Sequence, residues 1–342
     1  MNKHLRVLLL PLIITIGACS DSSTDSASGF VRTADTVELA VIGDSPYQPE
    51  EVVEFPGLVA SINADAFVSK TIHVGDIKAG ATQCTDQRLQ ETHNLFQTFD
   101  EPLLYTIGDN EWTDCIRQSA GGYDPEERLA KLREIFFSMP GTSLGRSTMQ
   151  VEAQSGYPEN QLWQEKGIVF GTMHIVGTNN NLRTGPGIAT AEQQSEAGST
   201  EYGRRTAANL AWMRNIFTRA QESQAAGVAL FFHADMWKSQ EVFDESTYGG
   251  FRQIVQELSI QAEAFGKPVL MVSGENHRYR VDPGVSWFSL YDVSPVSNLT
   301  QVVVQRGVEF FNNNTQVRYN WLRVQADASK EEVFNVTVVV AN

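Results

Sequence analysis

Cysteine is scarce in this chain: there are three in 342 residues, and no CxxC spacing occurs. That excludes a disulfide-built scaffold. Cations are scarce as well, with 26 Lys and Arg against 41 Asp and Glu, a formal net charge of −15. A nucleic-acid binder needs a cationic surface to displace counterions, so the balance argues against that class. Adsorption to an anionic lipid surface is disfavoured for the same reason. Outside the N-terminus no apolar run reaches the ~18 residues of a spanning helix. Internal repeats are lacking, and no composition break marks a boundary inside the domain. What is present is core-forming material: 42% hydrophobic, 10% aromatic and 20% charged residues. Such a chain is expected to fold as an acidic globular domain, an enzyme or a binding module.

The N-terminus reads as an address. Lys3 and Arg6 precede an apolar stretch, Val7 to Ile16, of signal-peptide length. It ends in Ile16-Gly17-Ala18-Cys19, which resembles the bacterial lipobox. The resemblance implies that residues 1–18 are a lipoprotein signal peptide, cleaved before a lipidated Cys19. An ordinary secretory signal that happens to carry a cysteine is the alternative. Residues 19–35 are Ser- and Asp-rich and read as a flexible tether. Ser20 after the cysteine implies sorting to the outer membrane of a Gram-negative envelope, facing the periplasm or the cell surface. Removing residues 1–18 takes away Lys3 and Arg6 and no acid, so the net charge moves from −15 to −17. In that oxidising compartment Cys84 and Cys115 are expected to pair, tying two loops together; two buried free thiols are the alternative.

Residues 36–342 read as a single domain in which strands and helices alternate. Apolar β-branched runs predict strands at 37–42, 67–74, 102–107, 167–176, 228–232 and 268–272. Helical spacing predicts helices near 85–99, 202–226 and 247–265, with a mostly helical or irregular return over 50–64. Asp124-Pro125-Glu126-Glu127 is a helix start: a capping Asp, a Pro at the first position and acids in the first turn. Gly141 to Asn160 is polar and reads as a surface excursion. The tail adds strand-like runs at 299–305, 317–324 and 333–340. The alternation predicts an α/β layered fold with a largely parallel sheet core.

Five apolar strands end alike. Their ends read Gly43-Asp44, Gly75-Asp76, Gly108-Asp109-Asn110-Glu111, His233, and Gly274-Glu275-Asn276-His277. Ligands in open α/β sheets bind at the carboxyl ends of strands. Glycine before an acid allows the sharp turn that aims the side chain into the crevice. Several carboxylates crowded together do not stay ionised without cations between them. Carboxylate plus imidazole suits Zn, Mn or Fe better than a soft-thiolate metal.

In that order these residues resemble the motifs of the calcineurin-like metallophosphoesterases: D-x-H, G-D, G-N-[HDE], a lone His and G-H-x-H. Purple acid phosphatases belong to the same superfamily. The resemblance covers roughly residues 36–290. It implies a layered α-β-β-α sandwich of the metallophosphoesterase type, with mixed sheets and helices outside. It also implies one or two metal ions (Mn, Fe, Zn or Mg). Asp76 would bridge them, Asp44 and His277 would hold the first, and Asp109, His233 and Glu275 the second. Asn110 would orient substrate or water. Lys78 and Arg278 flank ligands and are candidate phosphate-binding cations, with a solvated surface role as the alternative.

This chain departs from the pattern at several positions. Pro46 stands where the family has a His ligand, and Asn110 where it has the catalytic His. Asp109 replaces an Asn, and Glu275 replaces the first His of G-H-x-H. The expected site is therefore rich in carboxylate and poor in His. Tyr47 is expected to pack rather than ligate, and Glu111 to accept loop hydrogen bonds. His73 reads as a hydrogen-bonded core residue, His93 as surface, and His174 as core or as support behind the site. Trp112 and Trp237 are expected in the core or at the pocket rim.

The implied function is metal-dependent hydrolysis of a small phosphoester, a mono- or diester. With Asn110 unable to supply a proton, diesters and activated monoesters are the expected substrates. The alternative is a catalytically impaired binding protein of the cell envelope that keeps the fold. Membrane attachment is expected through the lipid alone, and no nucleic-acid surface is expected.

Overall fold

Successive side chains of the central strands go to different cores. In β1 (Val37–Ile42), Val37, Leu39 and Val41 enter one core while Ala40 and Ile42 enter another. In β7 (Gly227–Phe231), Ala229 and Phe231 join the first of these, and Val228 and Leu230 join a third. Side chains alternate across a strand, so a strand buried on both faces reads as a continuous apolar run. The computed structural model behind this description covers residues 30–182, 200–237, 243–313 and 316–341. The chain divides into two units, Met1–Val31 and Arg32–Asn342. The signal segment and Cys19 lie outside the described residues, as does the tether up to residue 29. No helix among the described residues is long and apolar enough to cross a membrane.

Two mixed sheets carry the second unit. The first runs β11 (Val308–Phe311), β12 (Gln316–Ala326), β1, β2 (Lys70–His73), β3 (Leu103–Tyr105), with β13 (Phe334–Ala341) also paired to β12. The second runs β4 (Glu152–Gln154), β5 (Tyr157–Glu165), β6 (Ile168–Thr172), β7, β8 (Val269–Ser273), β10 (Leu299–Val303), β9 (Arg280–Pro283). β1, β2 and β3 are parallel, as are β6, β7, β8 and β10. The remaining pairings are antiparallel, so the parallel core is real but flanked on both sheets.

The cores give the layer order. One core contains Leu39 and Ile72 from the first sheet together with Phe170, Phe231 and Leu270 from the second, so the sheets face each other across it. Behind the first sheet lie α1 (Pro49–Asn63), α2 (Asp86–Phe96) and α3 (Pro125–Phe136), through Phe55, Leu58, Phe96 and Leu132. Behind the second lie α4 (Glu201–Glu222) and α5 (Arg252–Phe265), through Trp212, Ile216, Ile254 and Leu258. The fold is α/β, with helices outside two mixed sheets. The start of α3 follows its sequence signal: Asp124 Oδ1 accepts the Glu127 amide at 2.9 Å, and Pro125 is the first helical residue.

The excursion expected over 141–160 is partly a hairpin. β4 and β5 pair antiparallel at one edge of the second sheet. Apolar alternation is missing there because the strand buries two polar side chains, Glu159 and Asn160, that are hydrogen-bonded. Asn160 bonds Gln154 and Asn209, and Glu159 bonds His174 and Arg133.

Candidate metal centre

All five strand ends converge on one cleft, and the backbone is forced where they do. Asp44, Asp76, Glu275 and His277 have φ of 51°, 60°, 69° and 61°. Left-handed backbone costs a non-glycine residue roughly 1–2 kcal/mol and clusters at functional sites. The glycines beside these residues permit close approach. A Cβ on Gly75 (φ 96°) would lie 2.7 Å from Gly108 Cα, and a Cβ on Gly177 2.7 Å from Asp109 Oδ2. The Asp44 amide donates to the Gly75 carbonyl at 2.9 Å, and the Glu275 amide returns to Asp44 Oδ1 at 3.1 Å.

Two triads result. Asp44, Asp76 and His277 each offer a ligand atom, all within 4.8 Å of one another, and so do Asp76, Asp109 and His233. Asp76 belongs to both. His233 Nδ1 donates to the Val74 carbonyl at 3.0 Å, which leaves Nε2 facing Asp76 Oδ1 and Asp109 Oδ1, each 3.2 Å away. A backbone acceptor that fixes the tautomer in this way is characteristic of metal-binding imidazoles. Burial pushes the Asp76 carboxyl well above its usual range; Asp109, Glu111 and Asp44 add to this against His233. Burial works against a charged His233, yet Asp76 and Asp109 outweigh it and hold the imidazole well above its ordinary value. Burial would raise Asp109 too, but the His233 hydrogen bond prevails and holds that carboxyl below the usual range. Buried carboxylates this close are stabilised by a cation between them, and the donor set fits a hard or borderline metal.

The remaining expected residues fall into place around these triads, or away from them. Asn110 Nδ2 donates to Asp76 Oδ2 and to the Tyr47 hydroxyl, the latter at 3.0 Å. Glu275 joins neither triad. Its carboxylate approaches Asp109 across Gly177 and accepts the Asp235 amide at 3.1 Å. Glu111 accepts loop hydrogen bonds from Gly108 N, Tyr105 OH and Asp76 N at 2.6, 2.7 and 3.2 Å. Tyr47 packs edge-on against His277 at 4.9 Å and lines the cleft.

Two candidate cations are elsewhere. Lys78 is fully buried beneath the cleft, where Nζ donates to the Asn110 and Ala79 carbonyls, and burial lowers it to about 8. Arg278 is exposed and lines a neighbouring cleft instead, on the far side of His277. Flanking a ligand in sequence does not fix where a long side chain points.

His73 is a core residue. The Gly75 amide donates to Nδ1 at 3.1 Å and Nε2 donates to the Ser45 carbonyl at 2.5 Å. His174 is buried against Glu159, 2.8 Å away, and Arg205 and Asn209 take its carbonyl. His93 is half-buried, edge-on to Phe136, rather than on the surface. Trp112 is buried below the site and Trp237 packs on Tyr248, so the aromatic residues that line the cleft are Tyr47, Tyr248 and Phe251. The Cys84–Cys115 disulfide is formed, with Cα atoms 5.8 Å apart.

Several cleft residues lay outside the motifs. Thr178, Asn179, Asn180 and Asn181 form a left-handed turn, with φ of 50°, 54°, 53° and 58°. It delivers the Thr178 hydroxyl to Asp109 Oδ2 at 2.5 Å and Asp114 Oδ1 at 3.2 Å. Asp114 is buried, and burial plus the Asp109 charge raise it to about 7. Arg117 pairs with it at 2.7 Å. The cleft has a volume of about 660 Å³. The run of three asparagines after Thr178 was the one sequence signal for this wall, since asparagine tolerates left-handed backbone.

No protein-family model matches the chain, and no curated protein matches it. One solved structure with some likeness is GAP50, the anchor in the inner membrane complex of Plasmodium. The two are 9% identical, with 90% of this chain and 89% of that one covered, at a TM-score of 0.43. Nothing about function passes from it to this chain.

Proposed function

We propose that this cleft is the active site of a metal-dependent phosphoester hydrolase, a divergent calcineurin-like metallophosphoesterase. The observation that carries the proposal is Asp76, one carboxylate shared by two Asp/His triads at strand ends. The helix–sheet–sheet–helix order supports the sandwich that the motif resemblance implies. Asp44, Asp76 and His277 would hold one ion, and Asp76, Asp109 and His233 the other. Such ions lower the pKa of water and stabilise charge growing on phosphoryl oxygens.

The chain's own part is to bind, orient and exclude water. Asn110 fixes Asp76 and the Tyr47 hydroxyl and supplies no proton at neutral pH. Glu275 orders the Asp44 loop through its amide. Tyr47, Tyr248 and Phe251 line the cleft and would offer ring surface to the organic part of a substrate. Phosphodiesters and activated monoesters suit a site without an imidazole acid at position 110. We further read Cys19 as a lipid anchor holding the domain at the outer membrane.

The test is turnover of nitrophenyl phosphoesters by the purified protein with Mn, Fe, Zn or Mg added. The proposal expects hydrolysis with at least one metal, and faster hydrolysis of a bis-nitrophenyl diester than of an alkyl monoester. Folded, metal-loaded protein that turns over none of them would overturn it. It would favour the second reading, a binding protein that keeps the centre, for which the missing imidazole at 110 is the motive.

A further inference from the structure

Arg117 is the only Lys or Arg among the described residues lining the metal cleft. It faces a wall of carboxylates that includes Asp76, Asp109, Asp114 and Asp235. A phosphoester entering the cleft is an anion, so a cation there has a clear use. We infer that Arg117 is the residue that binds the substrate's phosphoryl oxygens, and hence that the cleft selects substrates with a free anionic phosphoryl edge. The inference rests on the phosphoester reading of this cleft.

Arg117 is held in place by structure. Its Nη2 pairs with Asp114 Oδ2 at 2.7 Å, which leaves other guanidinium N–H groups of the fork for a ligand. Its Nη1 and the Asn110 side-chain oxygen converge above Gly80. A Cβ built on Gly80 would lie 2.6 Å from Nη1 and 2.8 Å from that oxygen. Asn110 in turn touches Asp76, the shared ligand. The guanidinium is therefore linked to the centre through Asp114, Thr178 and Asp109, and its Nη1 shares the space over Gly80 with the Asn110 side chain. Its side chain is 48% exposed while its partner Asp114 is buried, so the cation stands at the mouth with its anchor inside. Cys115, two residues before it, is tied to Cys84.

The test is the affinity of the metal-loaded protein for inorganic phosphate, measured calorimetrically, with metal content determined for each variant. Wild type is expected to bind. Arg117→Ala should weaken phosphate binding about tenfold or more, the scale of one lost charge-assisted contact, with unchanged metal content. Arg117→Lys should recover part of the loss, because it restores the charge but not the fork. Gly80→Ala keeps the cation but displaces it, and should also weaken binding.

Equal phosphate affinity in wild type and Arg117→Ala would overturn the inference. So would failure of wild type to bind phosphate, or loss of metal from Arg117→Ala, which would make Arg117 part of the metal support. Ester turnover with unchanged phosphate affinity in Arg117→Ala would sink this role and leave the hydrolase standing. Arg117-dependent phosphate binding without any turnover would do the reverse.

Discussion

Asp76 is buried, left-handed in backbone and surrounded by four ionisable ligand candidates, an arrangement that stability alone disfavours. The neighbouring His73 is easier to weigh, because both its ring nitrogens are used. Burial pushes its imidazole down to about 4. An unfolded chain protonates histidine near the ordinary 6.5. Between those values the unfolded state binds more protons, so stability is full above the unfolded value and falls as the pH drops toward 4. One such group accounts for about 3 kcal/mol across that window. Urea midpoints taken at pH 7 and pH 5 should show the loss, and His73→Gln should make the difference smaller. An unchanged difference would mean other groups carry the acid sensitivity. At this scale the sequence was a good guide to which strand-end acids and histidines meet and a poor one to cations. A Gly-Asp pair at a strand end is a local signal. Lys78 and Arg278 needed knowledge of where long side chains turn.

The elements that position the cleft are strand ends and the loops after them. Strands whose two faces are both buried were legible as apolar runs, and α3 was legible from Asp124 and Pro125. β4 and β5 were not, because Glu159 and Asn160 are buried by side-chain hydrogen bonds rather than by apolar contact. Thr178, Asp114 and Arg117 were not either, since they sit on a turn and on a one-turn helix and its end, too short to show periodicity. The Cys84–Cys115 bridge spans 31 residues and joins the loops after β2 and β3. A closed loop of that length is worth roughly 3–4 kcal/mol in the chain-entropy account. The double variant Cys84→Ser, Cys115→Ser should therefore unfold at lower urea by that order, and so should reduced wild type. Equal midpoints for oxidised and reduced protein would show the bridge to be neutral.

For the whole molecule, the acidity that first argued against nucleic acid and lipid surfaces acquires a local meaning. Three of the 41 acids, Asp44, Asp76 and Asp109, sit in the two triads, where bound cations would offset them. Attachment to a membrane is proposed through Cys19 and not through charge. Labelling of the expressed protein with a radioactive fatty acid should succeed and be abolished by Cys19→Ser. Label retained in that variant would contradict the anchor.

The central claim is that Asp76 joins two metal sites in one cleft, and elemental analysis tests it most directly. Wild type purified with Mn, Fe or Zn present should retain metal, and Asp76→Asn, checked for folding by circular dichroism, should lose it. A folded Asp76→Asn protein with undiminished metal content would contradict the account.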